Sequence, residues 1–380
     1  MKRFLLKLSI FLFPFVAMYG FPTYVLLWSG DLAPVEHVIE AQKQSDTLIL
    51  FGPAYTNFSP YFRLKSVLER KPRVISLGTS RVMQFRSKFF KEGVSFYNAG
   101  GAVSKIKHFE AFLNRVPHDK MPELFIIGLD QYFFNPRWDN LADDDIEKQL
   151  SANDYGAFDI LLDSWKQVYA DYYDKKYSLR RLTFNREPNR IGLSALTYGD
   201  GTRNDGSYHD QKYIRNPFDP KNKDYQFKNT FDRIAKGDRR FEYSESISDG
   251  AVEVLERFLK RCKEKGVRVI GFLPPYPHVV YEKMISMPEY GYLSQLAPRL
   301  KPLFQSYGFD FYDFSDMAWL GASDHETLDG LHGSEKAYLR LFIAMAESSP
   351  VLKKYSRDLS FLRDTLHHTP GDYDVFGDLF

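Results

Sequence analysis

Short apolar runs, each ending at a small or polar turn and separated by helical stretches, decide what this chain can fold into. Val74-Ile75-Ser76-Leu77 runs into Gly78-Thr79-Ser80, Val94 to Tyr97 runs into Asn98-Ala99-Gly100-Gly101, and Leu124-Phe125-Ile126-Ile127 runs into Gly128-Leu129-Asp130-Gln131. Apolar runs of this length, bounded by turn residues, read as strands buried on both faces. Arg81 to Lys91 and Lys105 to Val116, between them, read as helices. The alternation returns further on: helical Asp249 to Lys265 precedes a strand at Val267 to Leu273, helical Leu293 to Tyr307 precedes a strand at Phe309 to Phe314, and Gly333 to Glu347 is a closing helix. Strands alternating with helices predict an α/β fold, a mainly parallel sheet covered on both faces in an α/β/α sandwich of three layers. No segment repeats at a fixed period, which excludes a solenoid.

The first thirty residues follow a different rule. After the basic start Met1-Lys2-Arg3, Phe4 to Trp28 is almost entirely apolar, and about 20 apolar residues suffice to cross a bilayer. Lys7 can snorkel to the near interface, while Tyr19, Tyr24 and Trp28 suit the far one. The basic start predicts that residues beyond about 30 lie outside the cytoplasm. A cleaved signal peptide is the rival reading. The length of the segment and the weak small-x-small match at Val16-Ala17-Met18-Tyr19-Gly20 favour an anchor at residues 1–30.

Residues 31–70 read as a stalk with a first helix, and 71–348 as the α/β domain. Within that domain, residues from about 135 to 245 break the alternation and read as an insertion, with one clear helix from Ala157 to Leu182. The insertion is rich in aromatics, among them Tyr208, Tyr213, Phe218, Tyr225 and Phe227. Such rings form a satellite core more often than a stacking surface for sugars. Residues 349–380 read as a polar tail, a helix followed by a loose end.

Composition narrows the function. The chain has 380 residues, 44% of them apolar, enough for a full-sized core. Its 51 basic and 49 acidic residues are interspersed, giving a net charge of +2, so no single-sign field points to nucleic acid. The lone Cys262 excludes an internal disulfide and a thiolate metal cluster. No metal site is expected, because the nine histidines are scattered and neither His325 nor His332 has a helical His-x-x-x-His partner. No phosphate-binding or dinucleotide fingerprint occurs, so no cofactor is implied.

Ligands of open α/β sheets bind beyond the carboxyl ends of the strands, which draws attention to Ser80, Asn98 to Gly101, Asp130, Gln131, and the late loop carrying Asp329 and His332. A serine becomes a nucleophile when a base takes its proton and a carboxylate holds that base. Ser80 follows a strand. Asp329 and His332, three residues apart, can aim at one point from a tight turn.

These residues resemble the SGNH/GDSL hydrolases, over residues from about 70 to 345 with the insertion set aside. Leu77-Gly78-Thr79-Ser80 is similar to the first block of that family, Asn98-Ala99-Gly100-Gly101 to the second, and Asp329-Gly330-Leu331-His332 to the last. The resemblance implies Ser80 as nucleophile, His332 as general base, Asp329 as its orienting acid, and amides around Gly100 and Gly101, with that of Ser80, as oxyanion donors. Gly128-Leu129-Asp130-Gln131 stands where the family reads Gly-x-Asn-Asp. The family's asparagine donates to the oxyanion and an ionised Asp130 cannot. Either Asp130 is protonated, or Gln131 or another backbone amide is the donor, or Asp130 serves as a structural acceptor or a substrate-binding group.

The Gly-Thr-Ser-Arg turn, the N-terminal anchor and the Asn-Ala-Gly turn look most like the membrane-anchored branch related to alginate O-acetylation proteins and the teichoic acid D-alanylation protein. That resemblance implies O-acyl transfer, most plausibly O-acetyl, to a polysaccharide outside the cytoplasmic membrane, beside a membrane-bound O-acyltransferase that exports the acyl group. A hydrolase with the same triad and a non-catalytic glycan-binding subunit are the alternatives. Gly78-Thr79-Ser80-Arg81-Val82 is not the Gly-x-Ser-x-Gly of an α/β-hydrolase.

Overall fold

A computed structural model describes residues 1–55, 59–142, 144–151, 158–184, 187–216, 219–222 and 224–377. Phe218 and Ala157 lie outside the described residues. The chain separates into two compact units, one formed by residues 1–58, 151–204 and 208–212, the other by 59–150, 205–207 and 213–380. The residues expected as an insertion are thus divided between the two.

The larger unit is built on a five-stranded, all-parallel sheet of β1 (Val74–Gly78), β2 (Phe96–Gly100), β3 (Leu124–Gly128), β4 (Arg268–Leu273) and β5 (Asp310–Asp313), in the order β2-β1-β3-β4-β5. Side chains of a strand alternate between faces, and here both faces are apolar. Ile75, Leu77, Phe125, Ile127, Val269 and Leu273 enter one buried cluster, while Val74, Leu124, Ile126, Ile270 and Phe272 enter another. Burying each such side chain contributes about 1.5–3 kcal/mol.

The helix Asp249–Glu264 shows how sequence sets one layer. Ser248 caps it by accepting the Ala251 amide, and Ala251, Val254, Leu255, Phe258, Leu259 and Cys262 recur at helical spacing on its buried face. The helix Glu335–Ser348, capped by Ser334, supplies Leu339, Phe342 and Ala346 to the second cluster.

Three expectations are corrected. Arg81 to Lys91 is not an α-helix but two short turns of 3-10 helix, Ser80–Val82 and Ser87–Phe89. The Asn98 side-chain amide donates to the carbonyls of Val82 and Phe85, at 2.8 and 2.9 Å, the acceptors that a continuing helix would have used. The second strand begins two residues later than the apolar run and takes in Asn98-Ala99-Gly100, with Gly100 opposite Gly78. The tail's helix, Leu359–His368, is followed not by a loose end but by a segment whose Asp372 and Tyr373 carbonyls accept from Ser334 Oγ and the Glu335 amide.

In the smaller unit, the helix Lys2–Ser29 leads into four two-residue strands ordered 190–191, 50–51, 201–202, 208–209. Val25 and Leu26 are buried with Val168, Tyr177, Leu182, Leu193 and Leu196. The helix expected from Ala157 to Leu182 is Phe158–Tyr173 and then Leu179–Phe184. Lys175, between them, takes a left-handed φ of 56° that breaks the run. Phe4, Leu5, Leu6, Ile10, Phe11 and Phe13 are exposed. Among the described residues, no single helix is long and apolar enough to cross a membrane; Lys2–Val16 and Met18–Ser29, bent by 55°, meet that length and composition together.

Candidate active site

The end of β1 and the loop after β5 bring Ser80 together with Asp329 and His332, which lie far along the chain. Ser80 opens a 3-10 turn directly beyond β1, and Thr79 caps that turn by accepting the Arg81 amide at 3.1 Å. The turn is close-packed: a Cβ at Gly78 would stand 2.8 Å from Val82, and one at Gly128 2.3 Å from the same side chain. Ser80 Oγ lies 2.8 Å from His332 Nε2, and His332 Nδ1 lies 2.8 and 2.9 Å from the two carboxylate oxygens of Asp329. A carboxylate only accepts, so in the neutral ring Nδ1 carries the proton and the Nε2 lone pair faces the serine hydroxyl.

Asp329 is held by its own turn. One of its oxygens also accepts the amides of Leu331 and His332, both at 2.8 Å. Burial pushes the Asp329 carboxyl up, but the imidazole beside it and these two amides outweigh that and hold it well below the usual carboxylate range. About a quarter of the side-chain surface of His332 and of Asp329 remains exposed, so the pair is open to a reactant.

The turn is braced from outside. The Leu328 amide donates to the His332 carbonyl at 2.8 Å. The Gly330 amide donates to Asp224 at 2.8 Å, and Asp224 also accepts from the Thr230 amide and hydroxyl. A Cβ at Gly330 would meet Thr230 at 2.3 Å, so only glycine lets the turn sit against that helix. Arg86, in the loop after Ser80, pairs at 2.5 Å with Glu335, three residues after His332, and both are buried. The loops that carry Ser80 and His332 are thereby clamped to each other.

Four residues expected at the oxyanion are drawn into the fold instead. The Gly100 amide donates to Asn98 Oδ1 at 2.8 Å and the Gly101 amide to the Gly78 carbonyl at 2.9 Å, which leaves neither free for an oxyanion. Asp130 and Gln131 are fully buried. Asp130 accepts from Arg81 at 2.9 Å and from the Tyr132 hydroxyl at 3.0 Å. Gln131 accepts from Arg81, and its amide donates to the Pro274 carbonyl and to Ser315 Oγ. The Arg81 guanidinium completes the set by donating to the Pro274 and Pro275 carbonyls and lying 4.3 Å from the Tyr276 ring centre. This ion pair answers the like-charge problem that a carboxylate at position 130 raises for an oxyanion. Among the described residues, no hydrogen bond engages the Ser80 amide.

Arg81, Asp224, Thr230 and the Arg86–Glu335 pair were not anticipated. Only Arg81 carried a signal, its place directly after the serine. His278, Glu282 and Asp316 are the described residues whose ligating atoms come close enough to hold a cation, within 4.8 Å. His278 Nδ1 is 2.9 Å from Asp316, and Asp316 also caps the turn after β5 through the Ala318 amide. No protein-family model matches the chain, and no curated protein is significantly similar to it.

Proposed function

We propose that this chain is a serine-dependent O-acyltransferase of the SGNH type, its α/β unit a three-layer sandwich, held at the cytoplasmic membrane by residues 1–30 with its site outside the cytoplasm. In this reading His332 Nε2 takes the Ser80 proton as Oγ attacks an acyl donor, and Asp329 stabilises the imidazolium that forms. The Ser80 amide, at the start of a helical turn, faces the developing oxyanion. His332 then returns the proton to the leaving group. A polysaccharide hydroxyl, deprotonated by the same imidazole, takes the acyl group from Ser80. A membrane-bound O-acyltransferase is the proposed acyl supplier, and the exposed apolar residues from Phe4 to Phe13 suit a membrane location.

The observation that carries the reading is the relay itself, 2.8 Å from Ser80 Oγ to His332 Nε2 and 2.8 Å from Nδ1 to Asp329, across 252 residues of sequence. The partial exposure of His332 and Asp329 also favours a second reading, a hydrolase in which water deacylates the same serine. The test is intact mass of the full-length protein in detergent after exposure to p-nitrophenyl acetate. One acetyl adduct in the wild type and none in Ser80→Ala supports the nucleophile. An unmodified, folded wild type would sink it in favour of a non-catalytic glycan-binding subunit.

A further inference from the structure

Leu328, the residue before the Asp-x-x-His turn, lines a cavity of about 520 Å3, within the range that encloses a small molecule. Its wall includes the aromatic rings of Tyr225, Phe227, Phe231 and Tyr373, interleaved with polar Gln226 and Asp324. Asp224 lines it as well, and Leu328 and Asp224 are the residues whose hydrogen bonds hold the His332 carbonyl and the Gly330 amide, each at 2.8 Å. The cavity and the catalytic turn therefore share a wall. Gln226 and Phe227 take left-handed φ values of 54° and 57°, a conformation that side chains with a Cβ avoid and that native folds retain mainly where a site needs it. One helix serves both structures: in Lys228–Lys236, Thr230 bonds to Asp224 beneath the turn and Phe231 lines the cavity.

A lining of ring faces edged by amide and carboxylate groups matches a pyranose, which has apolar C–H faces and a rim of hydroxyls. A purely aliphatic acyl chain would leave Gln226 and Asp324 facing hydrocarbon, at a desolvation cost. We propose that this cavity is the acceptor subsite, in which aromatic residues of the 222–231 segment hold a sugar ring of the polymer so that a neighbouring hydroxyl reaches acyl-Ser80. The inference rests on the acyl-enzyme reading. In the transfer step the acceptor oxygen bonds to the acyl carbon while His332 takes its proton; the bond from that carbon to Ser80 Oγ breaks, and the proton passes to Oγ.

The test uses full-length protein acetylated on Ser80 by p-nitrophenyl acetate. Loss of the adduct is followed by mass with the methyl glycosides of glucose, mannose and N-acetylglucosamine, each compared with glycerol at equal hydroxyl concentration. The expected result is that a glycoside discharges wild-type enzyme about tenfold faster than glycerol, the size of one aromatic stacking contact, and that this preference vanishes in Phe231→Ala. Tyr225→Ala, at a half-buried position on a short turn, gives the same result without touching the core. Glycosides no faster than glycerol, or a preference retained in both folded variants, would overturn the subsite while leaving the acyl-enzyme standing. A wild type that never gains an adduct brings down the acyl-enzyme, and the subsite with it, before any acceptor is added.

Discussion

The Asp224 carboxylate accepts the Gly330 amide at 2.8 Å, so a residue 106 positions upstream holds the turn that presents Asp329 and His332. The same carboxylate binds the Thr230 amide and hydroxyl, which makes it the link between a helix and the Asp329–His332 turn. Asp224→Ala should leave Gly330 and Thr230 unpaired, costing about 1–3 kcal/mol of stability. It should slow Ser80 acylation more than it weakens donor binding, because the loss is of orientation. Stopped-flow acylation with p-nitrophenyl acetate separates the two; a weaker KM with unchanged kcat contradicts the bracing role.

Removing one member of the Arg81–Asp130 pair strands a buried charge. Arg81→Met should cost about 3–5 kcal/mol, and the double variant Arg81→Met with Asp130→Asn should lose less than Arg81→Met alone. Urea unfolding of the three proteins checks the order. A double variant less stable than the single would mean that Asp130 is not held through Arg81.

Acid should reveal the depressed Asp329 carboxyl. A group whose pKa falls on folding contributes stability that is complete above its unfolded value, near 3.8 here, and is lost as pH falls through the folded value. The stability gap between wild type and Asp329→Asn should therefore still be present at about pH 5 and close only in stronger acid. A gap already shrinking at neutral pH would contradict the arrangement around Asp329.

Cys262 is fully buried on the helix Asp249–Glu264, and burial pushes its thiol well above the ordinary value. Native protein should be inert to a disulfide exchange reagent and react with one equivalent once unfolded. Rapid labelling of native protein would mean that this helix opens readily.

The second half of the N-terminal helix is part of a core. Val25 and Leu26 are buried with Leu182, Leu193 and Leu196, and the Trp28 indole donates to the Leu182 carbonyl at 3.0 Å. A fragment beginning at residue 31 should expose that apolar surface and associate, as size-exclusion chromatography would show. A monodisperse monomer would indicate that the helix contributes little to that unit.

Sequence was most informative where local chemistry and tertiary position coincide. Each apolar run with a turn behind it became a strand of one parallel sheet, because a strand buried on both faces needs no partner pattern to be read. Ser80 fell just beyond a strand end and Asp329 and His332 in the loop after the last strand, and the structure brings them within hydrogen-bonding distance. The oxyanion expectation for Gly100 and Gly101 failed because a motif does not say where an amide hydrogen goes; Asn98 and Gly78 claim both. The same Asn98 ended the helix expected after Ser80, a tertiary hydrogen bond overriding a local periodicity. Asp224 and Thr230 lay in a segment read as loop-rich, and nothing short of the fold places them under Gly330.

The separation of 252 positions from Ser80 to His332 also has a meaning in time. A polypeptide is made from its amino end, so the proposed nucleophile emerges long before its proposed base exists. On that proposal, until β5 has joined the sheet edge and Glu335 has met Arg86, Ser80 is an ordinary alcohol, a chain still being made cannot be acylated prematurely, and a truncated one would be chemically silent.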